Sequence, residues 1–249
     1  ERCLESVLKV SQDVLVVDSF SNDGTKEILD SFENIHVIQR IWKNYSDQYS
    51  FAMQNDPWKN KYQFRIDADE YLDDKLIQEL LNLNLSSDLN YFVRRKLIFN
   101  NKWIRYGGYY PIWLLRLYVA QKSTIELQNM DEHIISDLKS SRLQGNIVDK
   151  NLNNFDWWTN KHLSYAKREL LDAKLAKNRG EYYRGNIFSN QKVKRVRWFK
   201  VYVYHSIPSQ LRVVLYFLYR YFILLGFLDG KLGFYWHFFQ AFWYRMVVE

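Results

Sequence analysis

Asp67, Asp69 and Glu70 place three acidic side chains within four residues, directly after the run Tyr62–Ile66. If that run is a strand, alternation sends Asp67 and Asp69 to the same side, with Ala68 leaving room between them. Two hard oxygen donors then face one point. Such a pair suits magnesium or manganese, which bind few carboxylates and keep their other positions for water and phosphate. The plainer alternative is a solvated acidic turn that opens the next helix, since acids favour helix N-termini.

Asp18 follows the apolar run Val14–Val17 and precedes the turn-forming stretch Ser19–Gly24. An acid in that position can hydrogen-bond a nucleotide base or ribose, with Asp23 as a second acceptor. The structural alternatives are that Asp23 caps a helix beginning near Thr25 and that Asp18 takes backbone bonds in the turn.

These acids need elements to hold them. Glu1–Val10, Thr25–Phe32, Ser46–Met53 and Asp73–Leu83 carry helical spacing, and Val14–Val17, His36–Ile38 and Tyr62–Ile66 read as short strands. The resulting β, α, β, α, β, α order predicts an α/β domain with a mostly parallel sheet, ligands lying beyond the carboxyl ends of its strands. Tyr91–Phe99 and Ile112–Tyr118, with a Gly107-Gly108 turn between them, predict an antiparallel addition, and Leu163–Asn178 predicts a helix.

The run Val16–Thr25, followed downstream by Asp67-Ala68-Asp69-Glu70, resembles a family 2 glycosyltransferase of the GT-A fold. Ser46-Asp47-Gln48, Met130-Asp131-Glu132-His133, Lys161-His162 and Tyr165-Ala166 extend the resemblance along the chain. It implies a GT-A-like nucleotide-binding sheet flanked by helices and a nucleotide-sugar donor. It also implies roles: Asp18 on the base, Asp67 near the ribose, and Asp69 on a divalent metal, Mg or Mn, at the diphosphate. The family's first strand, which closes one side of the nucleotide pocket, would precede Glu1.

Sugar transfer from such a donor needs a neutralised leaving diphosphate and a deprotonated acceptor hydroxyl. A metal serves the first need and a carboxylate the second. Glu132 is the expected general base with Asp131 in reserve, and His133 is a candidate either to complete the metal shell or to hold the base in place. The resemblance implies inversion at the anomeric carbon. His162 reads as a structural residue before a ligand, and alternation lets only part of Arg94-Arg95-Lys96 face a phosphate. Among Trp103, Tyr106, Tyr109, Tyr110, Trp113, Trp157 and Trp158, most are expected in the core and one or two against a sugar ring.

The 249 residues are 18% aromatic, far too apolar for a disordered chain. The formal charge of +7 is confined to the last stretch, where nine basic side chains from Phe188 onward meet two acids, Asp229 and Glu249. Cys3 is the single cysteine and makes no internal disulfide, so a cytosolic setting is the default expectation. No leader is read at the start, which opens inside a helical pattern; the natural start is expected upstream.

Two units are expected, a catalytic domain over 1–187 and a basic aromatic helical appendage over 188–249. Leu211–Leu228 is apolar, but Arg212 and Arg220 interrupt it, and Leu232–Val248 repeats its character after a turn in Gly226–Gly233. Such helices fit the interface of a membrane, with the basic run Lys192–Lys200 drawn to anionic headgroups. Packing on the catalytic domain and an oligomer interface compete with that reading. Nucleic acid is not expected, as no recognition motif accompanies the basic residues. The combined expectation is a peripheral enzyme on the cytoplasmic side of a membrane, acting on a lipid-linked or membrane-proximal saccharide. A metal-dependent phosphohydrolase of nucleotide sugars and a non-catalytic carbohydrate-binding scaffold are the competing readings.

Overall fold

The computed structural model describes residues 1–85, 88–126, 132–178 and 207–249, with the side chains of 172, 173 and 175–178 set aside. It divides into two compact units, Glu1–Trp103 with Tyr109–Leu152, and Ile104–Gly108 with Asn153–Glu249. The expected 187/188 boundary falls outside the described residues.

In the first unit the expected alternation is present. It runs α1 (Arg2–Val7), β1 (Leu15–Asp18), α2 (Thr25–Asp30), β2 (His36–Gln39), α3 (Tyr45–Gln54), β3 (Tyr62–Phe64), β4 (Glu70–Leu72) and α4 (Asp74–Leu81). Then follow β5 (Asn90–Phe99), β6 (Lys102–Ile104), β7 (Ile112–Val119), β8 (Thr124–Ile125), β9 (Ile134–Ile135) and β10 (Ser140–Asp149). β1 and β2 pair in parallel, placing Asp18 opposite Gln39. The larger sheet has the order β3-β7-β5-β10-β4, with β6 on β5. Only β5 and β10 are parallel in that path; β3–β7, β7–β5 and β10–β4 are antiparallel. The sheet is therefore mixed where a mostly parallel one was expected. A βα alternation fixes strand direction only between neighbours, and β3 has the long strand β7 as its neighbour instead of β1. A cavity of about 570 Å³ lies between β1 and β3, lined by Leu15, Tyr62 and Phe64 from the strands and by Val7, Val10 and Val14.

The core of this unit joins Leu72, Leu76, Ile77, Tyr91, Val93, Leu117, Leu143 and Ile147. α4 supplies Leu76 and Ile77 from its apolar stripe and lies on β10, where the register slips between Arg142 and Asn146. Such a bulge leaves N–H groups without a ladder partner, and acids of α4 and its cap accept them. Glu79 takes the N–H of Gln144 at 2.8 Å and of Gly145 at 2.7 Å, and Asp73 takes that of Asn146 at 3.0 Å. Asp73 also caps α4 through the N–H of Leu76 at 2.9 Å.

The second unit holds α5 (Phe155–Asn178), longer than the expected Leu163–Asn178, then α6 (Ser209–Leu218), α7 (Gly230–His237) and α8 (Tyr244–Val248). π-helical turns at Tyr219–Ile223 and Phe238–Trp243 continue α6 and α7. His162 is buried, its ring nitrogens against the Trp158 carbonyl at 2.8 Å and the Gln240 amide at 3.1 Å, which matches the structural reading.

Gly145 is the tightest point of the α4–β10 contact, because a Cβ there would stand 2.3 Å from the Leu76 backbone. Gly145→Ala is expected to cost about 1–3 kcal/mol by overpacking. Chemical denaturation would show it as a lowered midpoint, and an unchanged midpoint would mean that the two backbones are not so close.

Candidate active site

β3 hands the chain to the acidic motif through one more ladder bond, from the Arg65 N–H to the Arg116 carbonyl on β7 at 2.8 Å. The motif itself is a turn, closed by the Glu70 N–H on the Asp67 carbonyl at 2.9 Å. This corrects the strand alternation expected for Asp67 and Asp69. The strand ends at Phe64, and the chain bends because the Glu70 carboxylate reaches back to accept the Asp67 N–H at 3.0 Å. The three acids consequently have different surroundings. Glu70 is 3% exposed at the start of β4, while Asp67 and Asp69 are partly open.

Two arginines answer these charges. The guanidinium of Arg116, itself buried, lies 2.8 Å from Glu70 and 3.5 Å from Asp67. Arg65 stacks on the Tyr49 ring at 3.9 Å, approaches Asp67 at 3.7 Å and holds Glu132 at 2.5 Å. Burial alone would raise the Asp67 carboxyl, but Arg116, Arg65 and then Arg95 hold it below its ordinary value. Burial wins at Glu70, which rises to about 7 against the pull of Arg116. Burial, with the Glu70 charge second, also pushes the nearby Cys3 thiol up to about 12.

The structure thus brings Asp67 and Glu132 together on Arg65, two positions selected independently in the sequence. Asp131 lies outside the described residues. The His133 side chain is 69% exposed and its ring faces Glu126 at 3.4 Å. Asp18 is buried at the end of β1, where its carboxylate accepts from the Ser21 hydroxyl at 2.6 Å, the Ser21 N–H and the Gln39 amide at 3.3 Å. Burial opposes those bonds, which nevertheless keep its carboxyl below the usual range. Asp23 accepts from the hydroxyl of Thr25 at 2.6 Å and from its N–H at 3.3 Å, but the cap position of α2 belongs to Gly24, so Asp23 does not take the helix-cap role weighed for it. Gln48 donates to the Val17 carbonyl and the Ser19 hydroxyl, both at 3.2 Å, and so fixes the loop after β1 from α3.

Alternation does hold on β5. Arg95 adds to the field on Asp67, while Arg94 lies over Tyr110 and Trp113, and Lys96 over Trp103. Arg65, Arg116 and Tyr49 were not singled out from the sequence. A signal existed for Arg116: a lone cation inside Ile112–Val119, at a position that an apolar strand buries, requires a paired acid.

Among the described residues no three His, Cys, Asp or Glu side chains gather in metal-ligand spacing. The partly open oxygen donors of Asp67 and Asp69 fit a hard divalent ion of the kind that relies on one or two carboxylates and completes its shell with water and phosphate.

An acidic turn beyond the carboxyl end of a strand, in an α/β unit, lies where α/β enzymes bind their ligands. Residues 1–137 match glycosyl transferase family 2, and the chain belongs to that family. It is 34% identical over 93 residues to a lipopolysaccharide core biosynthesis glycosyltransferase, LpsC, of Rhizobium meliloti (strain 1021), covering 35% of this chain and 33% of that one. It is 39% identical over 80 residues to an uncharacterized glycosyltransferase of Rickettsia bellii (strain RML369-C), covering 32% and 26%. The matched stretches thus span between a quarter and a third of those relatives.

Arg116→Met leaves Glu70 and Asp67 without their shared counter-charge and is expected to cost about 3–5 kcal/mol. Urea midpoints would report it, and the double variant Glu70→Gln/Arg116→Met should recover part of the loss. Between the ordinary value near 4.5 and about 7, folded Glu70 keeps a proton that the unfolded chain has released. Its contribution to stability therefore falls as pH rises through that window. Melting temperatures of wild type and Glu70→Gln across that range should diverge in this sense; parallel curves would contradict it.

Proposed function

We propose that the protein is a metal-dependent, inverting glycosyltransferase that moves a sugar from a nucleotide-sugar donor to a saccharide acceptor. The observation that supports it is the Arg65 bridge, which sets the Glu132 carboxylate beside the acidic turn after β3. In this reading Asp69, with Asp67, holds a divalent cation at the donor diphosphate, and Asp18 lies toward the base. The bound cation supplies neutralisation of charge on the leaving diphosphate.

Glu132 takes the proton of the acceptor hydroxyl. The acceptor oxygen bonds to the anomeric carbon as the bond to the phosphate oxygen breaks, and the nucleoside diphosphate leaves with the electron pair. A single displacement from the opposite face inverts the centre. Arg65 keeps the Glu132 carboxylate in place, so no reorganisation is needed when the proton moves.

The acceptor in this reading is lipid-linked or membrane-proximal, and the enzyme is peripheral on the cytoplasmic side of a membrane. Its support is the aromatic, basic C-terminal segment together with the lipopolysaccharide core relative.

Glu132→Gln is expected to lower turnover by about 10²–10⁴ while leaving donor affinity near wild type. Asp69→Ala should abolish the dependence of turnover on added Mg or Mn. Nucleoside diphosphate release, followed over a panel of nucleotide sugars with and without saccharide acceptor, checks both. Full activity in Asp69→Ala would remove the metal assignment, and release indifferent to acceptor would favour hydrolysis over transfer.

A further inference from the structure

The helical segment Ser209–Val248 inverts the polarity of a water-soluble surface. Its charged side chains turn inward and find partners. Arg212, 8% exposed, pairs with Glu249. Arg220 donates to the Gly107 carbonyl and the Tyr216 hydroxyl, each at 2.7 Å. Asp229, 3% exposed, accepts the Tyr106 N–H at 2.9 Å and the Arg105 N–H at 3.1 Å. Arg245 pairs with Glu169 at 2.7 Å. Outward positions carry Leu211, Leu215, Leu218, Phe222, Ile223 and Phe227, which are 40–70% exposed. Within Ser209–Val248 only Lys231 is a charge on the open surface.

No single described helix is long and apolar enough to cross a membrane, but Ser209–Ile223 and Gly226–Val248 pass together as a pair bent by 68°. The break is at Leu225, whose φ of 60° is left-handed, so the chain bends without a polar loop. Ser209–Ile223 is shorter than the roughly 20 residues a crossing needs. These dimensions fit a re-entrant hairpin that enters and leaves by one leaflet.

We infer that this hairpin inserts its bend, Phe222 to Leu228, into the hydrocarbon of one leaflet of a phospholipid bilayer. This deepens the membrane attachment proposed above, and it stands on the hairpin's burial pattern apart from the chemistry of the acidic turn. Two observations choose lipid over a second copy of the chain. Energetic centres of protein interfaces favour Trp, Tyr and Arg and under-use Leu and Val, whereas the outward face here is mainly Leu, Ile and Phe, with Tyr219 and Tyr235 among them and no exposed Trp or Arg. From Phe188 to Leu228 the sequence contains no acid, and it carries Lys192, Lys194, Arg195, Arg197 and Lys200 just ahead of the hairpin, a complement to anionic headgroups. Apolar insertion and surface charge then act as two signals, the combination that gives lasting attachment.

Flotation of the full chain with vesicles of phosphatidylcholine, and of equal parts phosphatidylcholine and phosphatidylglycerol, separates the two. Binding to both vesicles that survives high salt is expected, and Phe222→Asp/Phe227→Asp should weaken it at least about tenfold by placing charge in hydrocarbon. In a Cys3→Ser background, a fluorophore on Phe227→Cys should be quenched by brominated lipid, while one on Ser164→Cys of α5 should not. Binding confined to phosphatidylglycerol and lost in salt would overturn insertion. So would an unquenched Phe227 label, including the case where the double variant instead breaks a dimer in sedimentation. Thermal shift with manganese and nucleoside diphosphates reads the Asp67–Asp69 turn separately, so a failure of insertion is distinguishable from a failure of the transferase reading.

Discussion

Glu70 and Asp67 can stand three residues apart at the end of an apolar sheet because Arg116 reaches both. A carboxylate as buried as Glu70 tends to neutralise, and a second carboxylate beside it adds to the cost. One guanidinium, presented by the central part of β7, offsets part of that cost by pairing with Glu70 at 2.8 Å and extending to Asp67 at 3.5 Å. The tight turn follows from it. With Glu70 held inward, its second oxygen takes the Asp67 N–H, and Ala68 and Asp69 are left on the open side. The acidic turn is thereby held by a buried ion pair beneath it instead of by a mobile loop.

Arg65 carries the same logic sideways. It sits two residues before the turn, anchored by its stacking on Tyr49, and directs its charge to Asp67 and Glu132. The site therefore depends on β7, α3 and the residue that directly follows β3, each contributing one side chain to the support of the acids. Rigid elements hold such groups more closely than loops do.

Much of this was legible in the sequence. The alternation of short apolar runs with helical spacing gave the α/β class, and the density of acids at Asp67–Glu70 pointed to the candidate site. The details that escaped it are of one kind: they depend on residues that meet only in space. Arg116 is distant from Glu70 in sequence, and nothing in the spacing of Asp67 and Asp69 distinguishes a strand from a turn. Once Glu70 turns inward, the turn is the outcome. Asn100 and Asn101 show a local signal that was available. Both adopt left-handed φ, 47° and 61°, and make the two-residue hairpin turn between β5 and β6, a conformation asparagine tolerates.

Gly107 and Gly108 read as a hairpin turn, and in the structure they serve a second unit. The chain leaves the first unit after Trp103 and returns at Tyr109, and the intervening strap is bound into the helical unit. Gly107 donates to the Leu224 carbonyl at 2.8 Å and accepts from Arg220, while the Tyr106 and Arg105 N–H groups go to Asp229. At Gly107 the φ is +66°, and a Cβ would stand 1.8 Å from the imidazole of His237. The glycine is needed for the approach of that ring as much as for the backbone angle. The same contacts explain why Arg220, which interrupts an apolar stretch in the sequence, does not disqualify it as a lipid-facing element: the strap satisfies the guanidinium on the inner side and leaves the outer side to Leu218, Phe222 and Ile223.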